Sequence, residues 1–490
     1  MKQIANAARA AAVAGALSLA STAALAETAS EAQLRQMVES QARQIEQQQQ
    51  QLAAMNARLQ ALEGGTRPAA PGAVDSDAQV AAAIADTRDD DDIAILKAQL
   101  DQVAVAGSGG NGKTRWRSGG PRFESDDGSF SFHPRGRIQL DFTSTHASAF
   151  NARNIAGTDL ASGRLGAEGS MGALSYKIEA DFAGNTVALK DTYLSWDARL
   201  GQLPAEFYLG NKLKDRSLDG ATSGALTPFM ERNAVASVGS MDSGYFGLGA
   251  TMKLFGERWH ATLSVTGDDI GNEGDSSDTV AYLLRAHWNP IKHRDGFLHL
   301  GGWYWYESLA DDVLSINKTS ALALGWNDQV RVSASSIAGV TRDYAWGAEL
   351  GGTWRSGWAF AETTVRTIES STQPSRDQKA TSVYAGWLLT GETPGFSSRS
   401  GVWGTTKVLH PVSEGGWGAF ELLARYDDYD FTSAARGGEG EAWTLGVNWY
   451  LNNWSRLMLN VVRWTTDNKV GAYQGRDSGN TVGVRAQVIF

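Results

Sequence analysis

From Phe130 to the C-terminus, apolar residues recur at every second position, segment after segment. Leu174, Tyr176, Ile178, Ala180 and Phe182 alternate with Ser175, Lys177, Glu179 and Asp181. Phe246, Leu248, Ala250, Met252 and Leu254 alternate with Gly247, Gly249, Thr251 and Lys253, and Tyr282, Leu284, Ala286 and Trp288 with Leu283, Arg285 and His287. Val482, Val484, Ala486, Val488 and Phe490 close the chain in the same way. A period of two gives each strand one apolar and one polar face. Two architectures accept such strands. A soluble sandwich buries the apolar face against a second sheet. A membrane barrel turns it to lipid and the polar face to a wet lumen.

Three features favour the barrel. The alternating runs are about nine to eleven residues, the length of a tilted span. Trp and Tyr cluster near strand ends, as in Trp303-Tyr-Trp-Tyr306, Trp449-Tyr450 and Trp454, where an interfacial girdle is expected. The last strand ends on Phe490, the terminal aromatic that outer-membrane assembly machinery reads. All 46 aromatic residues lie from Trp116 onward, in 375 residues. At roughly 22 residues per strand plus connection that length allows about sixteen strands. The fold expected is an all-β antiparallel transmembrane barrel preceded by an α-helical coiled-coil segment.

The aromatic-free front has its own organisation. Residues 1–26 read as a signal peptide: Lys2 and Arg9 are the only charges, and Ala24-Leu25-Ala26 is a small-x-small cleavage site. The 27–63 segment carries heptads, with Val38, Ile45, Leu52 and Leu59 in one series and Leu34, Gln41, Gln48, Met55 and Leu62 in the other. That 3-4 spacing predicts a self-associating coiled coil, three copies being expected. Residues 64–122 form a linker with a short amphipathic piece at Ile93, Leu96, Leu100 and Val103. The barrel occupies 123–490.

Gly107-Ser-Gly-Gly-Asn-Gly112-Lys113-Thr114 spells the phosphate-loop pattern. That chemistry needs a strand before it and a helix after it. Arg115-Trp-Arg-Ser-Gly-Gly-Pro121 cannot start a long helix, so the segment reads as a Gly-rich hinge. Zero Cys excludes disulfides, thiolate metal sites, a thiol nucleophile and a lipid anchor on Cys. A net charge of −10 argues against nucleic acid as a partner. The seven His are scattered, without a zinc-type pairing, and there is no nucleophile elbow. Asp268-Asp269 and Asp427-Asp428 lie at strand ends and read as loop aspartates rather than acid–base pairs. No catalytic residue, cofactor or metal is expected.

Eight stretches resemble, in order, the phosphate-selective porin O and P family. They are Gly163-Arg-Leu-Gly-Ala-Glu-Gly169, Lys190-Asp-Thr-Tyr-Leu194, Leu209-Gly-Asn-Lys212, Glu231-Arg232-Asn233, Ala385-Gly-Trp-Leu-Leu-Thr-Gly-Glu392, Gly418-Ala-Phe-Glu-Leu-Leu-Ala-Arg-Tyr426, Leu445-Gly-Val-Asn-Trp-Tyr-Leu-Asn452 and Val484-Arg-Ala-Gln-Val-Ile-Phe490. The resemblance implies a sixteen-stranded trimeric barrel for passive anion uptake, in some members with a periplasmic coiled coil. Phosphate-selective members carry a Lys in the inward-folded loop shortly before the stretch matched by Glu231-Arg232-Asn233. Here Leu218 to Met230 has no Lys or Arg. Residues 114–490 also hold 35 Lys and Arg against 41 Asp and Glu.

The expected function is an outer-membrane porin for small anions such as phosphate or chloride. Lys212, Lys214, Arg216 and Arg232 bracket the constriction loop, and alternation turns Arg137, Lys177, Lys253, Arg285, Arg425 and Arg485 to the lumen. Lys177 is expected to meet Glu179, and Arg425 to meet Glu421. Phe490 is the assembly signal. The expected partners are outer-membrane lipid and lipopolysaccharide, two further copies, and peptidoglycan or another periplasmic partner of the coiled coil. One alternative is a structural anchor tethering the envelope through that coiled coil. A second is a secreted all-β enzyme.

Overall fold

The computed structural model describes residues 112–490, apart from 118, 269, 271–276 and 435. The signal peptide, the coiled coil and the amphipathic piece near Ile93 lie outside the described residues. The described chain begins with a hairpin of β1 (Gly112–Arg117) and β2 (Gly120–Ser125), which starts in the span read as linker and runs into the span read as barrel. Sixteen strands then form the wall. They are β3 (Phe130–His146), β4 (Ala156–Met171), β5 (Leu174–Asp181), β6 (Ala188–Leu200), β7 (Leu203–Leu213), β8 (Phe246–Phe255), β9 (Trp259–Thr266) and β10 (Val280–Trp288). There follow β11 (Gly296–Ser308), β12 (Val340–Trp354), β13 (Gly357–Ser370), β14 (Arg376–Leu388), β15 (Ala419–Asp430), β16 (Glu439–Tyr450), β17 (Ser455–Asn468) and β18 (Gly475–Ile489). Neighbours pair antiparallel, and β18 returns to β3 with Ile489 opposite Arg137. The sheet closes, so no backbone edge is left in lipid.

The period of two decides what each face meets. Ile138, Leu140 and Phe142 point outward and are exposed, while Arg137, Gln139, Asp141 and Thr143 between them are buried inside. Wall strands run from 8 to 17 residues, beyond the range expected. The longer ones continue above the apolar belt into polar rim residues such as Asp428 and Glu441 on the outer face.

Aromatic pairs mark both ends of the belt. Trp196 stacks on Phe207 at 5.5 Å near one end, and Tyr282 meets Tyr306 at 6.4 Å near the other. The girdle reading fails for half of Trp303-Tyr-Trp-Tyr306. Tyr304 faces out, but Trp303 and Trp305 are buried inside, where Trp305 Nε1 donates to the Gly239 carbonyl at 2.8 Å. Strict alternation cannot place four consecutive side chains on one face. Tyr450 likewise turns inward, donating to Glu421 at 2.8 Å.

Connections at one end are short: residues 172–173, 201–202, 256–258 and 355–356 suffice. Gly172 and Gly201 take left-handed backbone there, φ 61° each, as tight hairpins require. Short turns mark the periplasmic end of such a barrel. The 389–418 connection, from β14 to β15, breaks the pattern. Its small hairpin, Phe396–Ser397 paired with Val402–Trp403, folds up into the lumen. From the opposite end two long loops enter. Residues 214–245 join β7 to β8 and carry helices α1 (Leu218–Ala221) and α2 (Ala234–Val238). Residues 309–339 join β11 to β12.

These insertions give the barrel an interior core. Met230, Val235, Val238 and Met241 of the first loop pack with Leu322, Leu324, Val330 and Val332 of the second, and with Trp305 and Trp464 of the wall. The second loop crosses the mouth. Its Asn327 donates to Thr145 Oγ1 of β3 at 2.9 Å, and Trp326 covers Gly157 of β4, where a Cβ would lie 2.2 Å from the indole.

Candidate functional site: the lumen passage

With that core filling the side of β9–β17, open space remains along the β3–β8 wall. A cavity of about 840 Å³ lies between this wall and the two loops. Its lining includes Asp141, Asp159, Arg164, Lys190 and Asp191 from the wall, and Thr227, Glu231, Arg232 and Lys318 from the loops. In all, six cationic side chains face it against four carboxylates. The net charge of the whole barrel is negative, but the passage has a local cationic excess.

The constriction loop is held by side chains of the far wall. Glu362 of β13 accepts from Leu218 N–H and from Asn233 Nδ2, each at 2.7 Å. Asp427 of β15 accepts from Ala234 N–H at 3.0 Å, and Asn460 of β17 from Met230 N–H at 3.0 Å. Arginines take the loop carbonyls. Arg456 donates to Ala225 and Thr227, each at 2.9 Å, Arg425 to Glu231 at 2.8 Å and Arg485 to Met230 at 2.6 Å. The short helices start on side-chain caps, Ser217 Oγ accepting from Gly220 N–H and Asn233 Oδ1 from Ala236 N–H, both at 2.8 Å. The absence of basic residues between Arg216 and Arg232 has a physical reason here. Leu218, Phe229 and Met230 are buried against the wall, where an unpaired ammonium would be costly.

The residues expected in the lumen all point inward, but few are free. Lys177 sits 2.6 Å from Asp191 and only 4.0 Å from Glu179, so its main partner is not the expected one. Arg425 pairs with Asp427 at 2.7 Å. Its expected partner Glu421 instead accepts from Trp358, Asn448 and Tyr450, because Glu421 lies nearer the periplasmic end of β15. Asp427 is thus an inward strand residue and not a loop aspartate. Arg285 grips Glu349 through two 2.8 Å bonds, and Arg485 grips Asp141 through two at 2.7 Å. Lys212 and Lys253 share Asp215, at 3.0 and 2.5 Å. Burial opposes the Asp215 carboxylate, yet these two ammonium groups hold it well below the usual carboxylate range. Lys214 reaches Ser243 Oγ at 2.6 Å, and Arg216 is fully buried 4.3 Å above the Tyr245 ring. Arg232 lines the cavity while donating to the Thr222 carbonyl at 2.7 Å and to Asp219 Oδ1 at 3.2 Å. Arg137 donates to Ser162 Oγ at 3.0 Å and is in no ion pair among the described residues.

Residues 132–490 match the phosphate-selective porin O and P family. The chain belongs to that family. Porin O of Pseudomonas aeruginosa is 26% identical over 411 residues, 76% of this chain and 91% of the other. An uncharacterized protein of Caulobacter vibrioides is 28% identical over 429 residues, 84% and 81% of the two chains. Among solved structures, the anion-selective porin from Comamonas acidovorans superposes with a TM-score of 0.45 at 13% identity, covering 74% of this chain and all of the other.

This porin also carries passage residues that alternation did not find. Lys190 lies where β6 bulges against β5, between Ile178 and Ala180, so counting by twos loses its direction. Its Nζ stands 5.7 Å above the Phe246 ring and is in no ion pair among the described residues. Lys318 comes from the crossing loop, which no periodicity orients. Its Nζ donates to the Met241 carbonyl at 3.1 Å, and burial brings it down to about 7. The resemblance had pointed to Lys190-Asp-Thr-Tyr-Leu194 without assigning that lysine a role.

The C-terminal aromatic closes the wall. Phe490 N–H donates to the Gly136 carbonyl at 2.9 Å and its own carbonyl accepts from Gly136 N–H at 2.8 Å. Its ring lies over Gly136, where a Cβ would come within 2.1 Å. Gln487 lies two strand positions from Arg485 on the same inner face. It is buried inside and donates to the Ala225 carbonyl at 3.0 Å.

Proposed function

We propose that this outer-membrane porin passes small anions by passive diffusion, chloride readily and phosphate with weak retention, and that it works as a homotrimer rather than as an enzyme. The observation carrying this reading is the cationic excess on the cavity lining, concentrated at Lys190 and Lys318, which are in no ion pair among the described residues. Most other inward cations are neutralised within hydrogen-bond distance. Exposed charge is screened over about 8 Å at physiological ionic strength, so a paired arginine elsewhere in the lumen contributes little field. Lys190 and Lys318 stand in for the loop lysine that this chain lacks. Lys190 reaches the passage from the barrel wall and Lys318 from the crossing loop.

Planar-bilayer reversal potentials in a KCl gradient test the reading. A potential favouring chloride is expected, with phosphate reducing chloride current only at high concentration. A cation-selective potential would overturn it, and tight block by micromolar phosphate would overturn the weak-retention part alone.

A further inference from the structure

Three histidines far apart in sequence share one stack on the inner wall. His260 of β9, His287 of β10 and His299 of β11 point inward and are buried. Successive ring centroids are 5.3 and 4.8 Å apart. Each ring leaves its Nδ1 buried without a hydrogen-bond partner. The hairpin of the 389–418 connection covers them. His287 Nε2 donates to the Ser398 carbonyl at 3.2 Å, and Asn289 Nδ2 to the same oxygen at 2.7 Å. Arg285 donates to the Gly401 carbonyl at 2.6 Å. Gly401 sits directly on the stack: a Cβ there would lie 2.6 Å from His287 Nδ1. The same hairpin supports the constriction loop. Trp403 N–H donates to Thr222 Oγ1 at 3.1 Å, and Trp403 and Phe396 pack with Leu218 and Phe229.

We propose that this hairpin is an acid-released flap: seated while the histidines are neutral, it braces the constriction loop, and it lifts when the stack is protonated. The proposal rests on the porin reading. A proton on His287 creates a buried N–H with no acceptor, facing the Gly401 backbone and beside Arg285. A second proton puts a like charge one ring away. The charged groups around the stack cannot absorb both. Glu349 of β12 already holds Arg285 and accepts from His299 at 2.9 Å. Asp215 of the constriction loop reaches His260 only through Thr262, at 3.3 Å, and is held by Lys253 of β8. Glu362 of β13 is committed to the constriction loop. Arg399 of the hairpin adds a further cation, paired with Glu206 of β7 at 3.3 Å.

The full-length protein in planar bilayers, with the periplasmic side stepped from about pH 7 to about pH 4.5, reads the flap directly. Conductance is expected to rise, by about twofold, as the constriction loosens. His287→Gln with His299→Gln should abolish the rise. Because the chain has no Cys, Asn289→Cys with Ser398→Cys provides a second arm: oxidation should lock the flap and remove the acid response, and reduction should restore it. An unchanged conductance in the wild type, or an equal rise in the oxidised pair, would overturn the flap. The anion preference at about pH 7 reads the porin function separately.

Discussion

Arg485 on β18 forks onto Asp141 of the neighbouring β3, both bonds at 2.7 Å, and its other terminal nitrogen donates to the Met230 carbonyl at 2.6 Å. One guanidinium thereby joins the seam of the barrel to the loop that narrows it. Arg485→Lys keeps the charge and loses the planar fork. The barrel should still close, but the loop should be less firmly seated, with noisier open-channel current. Arg485→Leu leaves Asp141 buried and unpaired, a cost of about 3 kcal/mol. The midpoint for loss of the folded barrel on heated gels should fall for Leu and barely move for Lys.

Deleting Phe490 removes two backbone hydrogen bonds and the ring over Gly136, at the seam where the sheet closes. Gln487→Ala removes only lumen contacts. Outer-membrane levels should fall severely for the deletion and stay near normal for the substitution. Equal levels would contradict a closing role for the terminal residue.

Selectivity should follow unpaired charge, not inward charge. Lys190→Glu is expected to move the reversal potential toward cations, because its ammonium lines the cavity and is in no ion pair among the described residues. Lys212→Glu alone should move it less, since Lys212 already faces Asp215 and Lys253. Comparing the two variants in the same salt gradient distinguishes a local field from a summed one.

Lys318 gives the passage a pH dependence. Burial brings this lysine down to about 7, so its charge is present below that pH and lost above it. Anion selectivity should decline as pH rises through about 7, and Lys318→Met should flatten the profile at the lower level. A wild-type profile that stays flat across this range would mean that the ammonium keeps its proton.

The trimer is tested by the unheated gel. The mature protein should migrate as a heat-resistant oligomer well above the monomer, and cross-linking should trap it. Monomer alone in both measurements would leave the heptads at Val38, Ile45, Leu52 and Leu59 without a partner.

The alternating pattern alone pointed to an antiparallel barrel of about sixteen strands and to the inward direction of the charged residues on its regular strands. A strand's side chains alternate strictly, so a period of two in β18 sends Arg485 inward wherever β18 lies. It could not say which inward cation meets water. Arg485 finds Asp141, and Arg285 finds Glu349, across strand pairings that depend on barrel closure and register. Alternation also gave no account of Lys190, displaced by a bulge, or of Lys318, carried by a loop. The scattered histidines became a stack only because β9, β10 and β11 lie side by side, and the 389–418 connection became their cover only because it folds inward. Those outcomes belong to tertiary structure: they rest on contacts between segments that local periodicity cannot bring together.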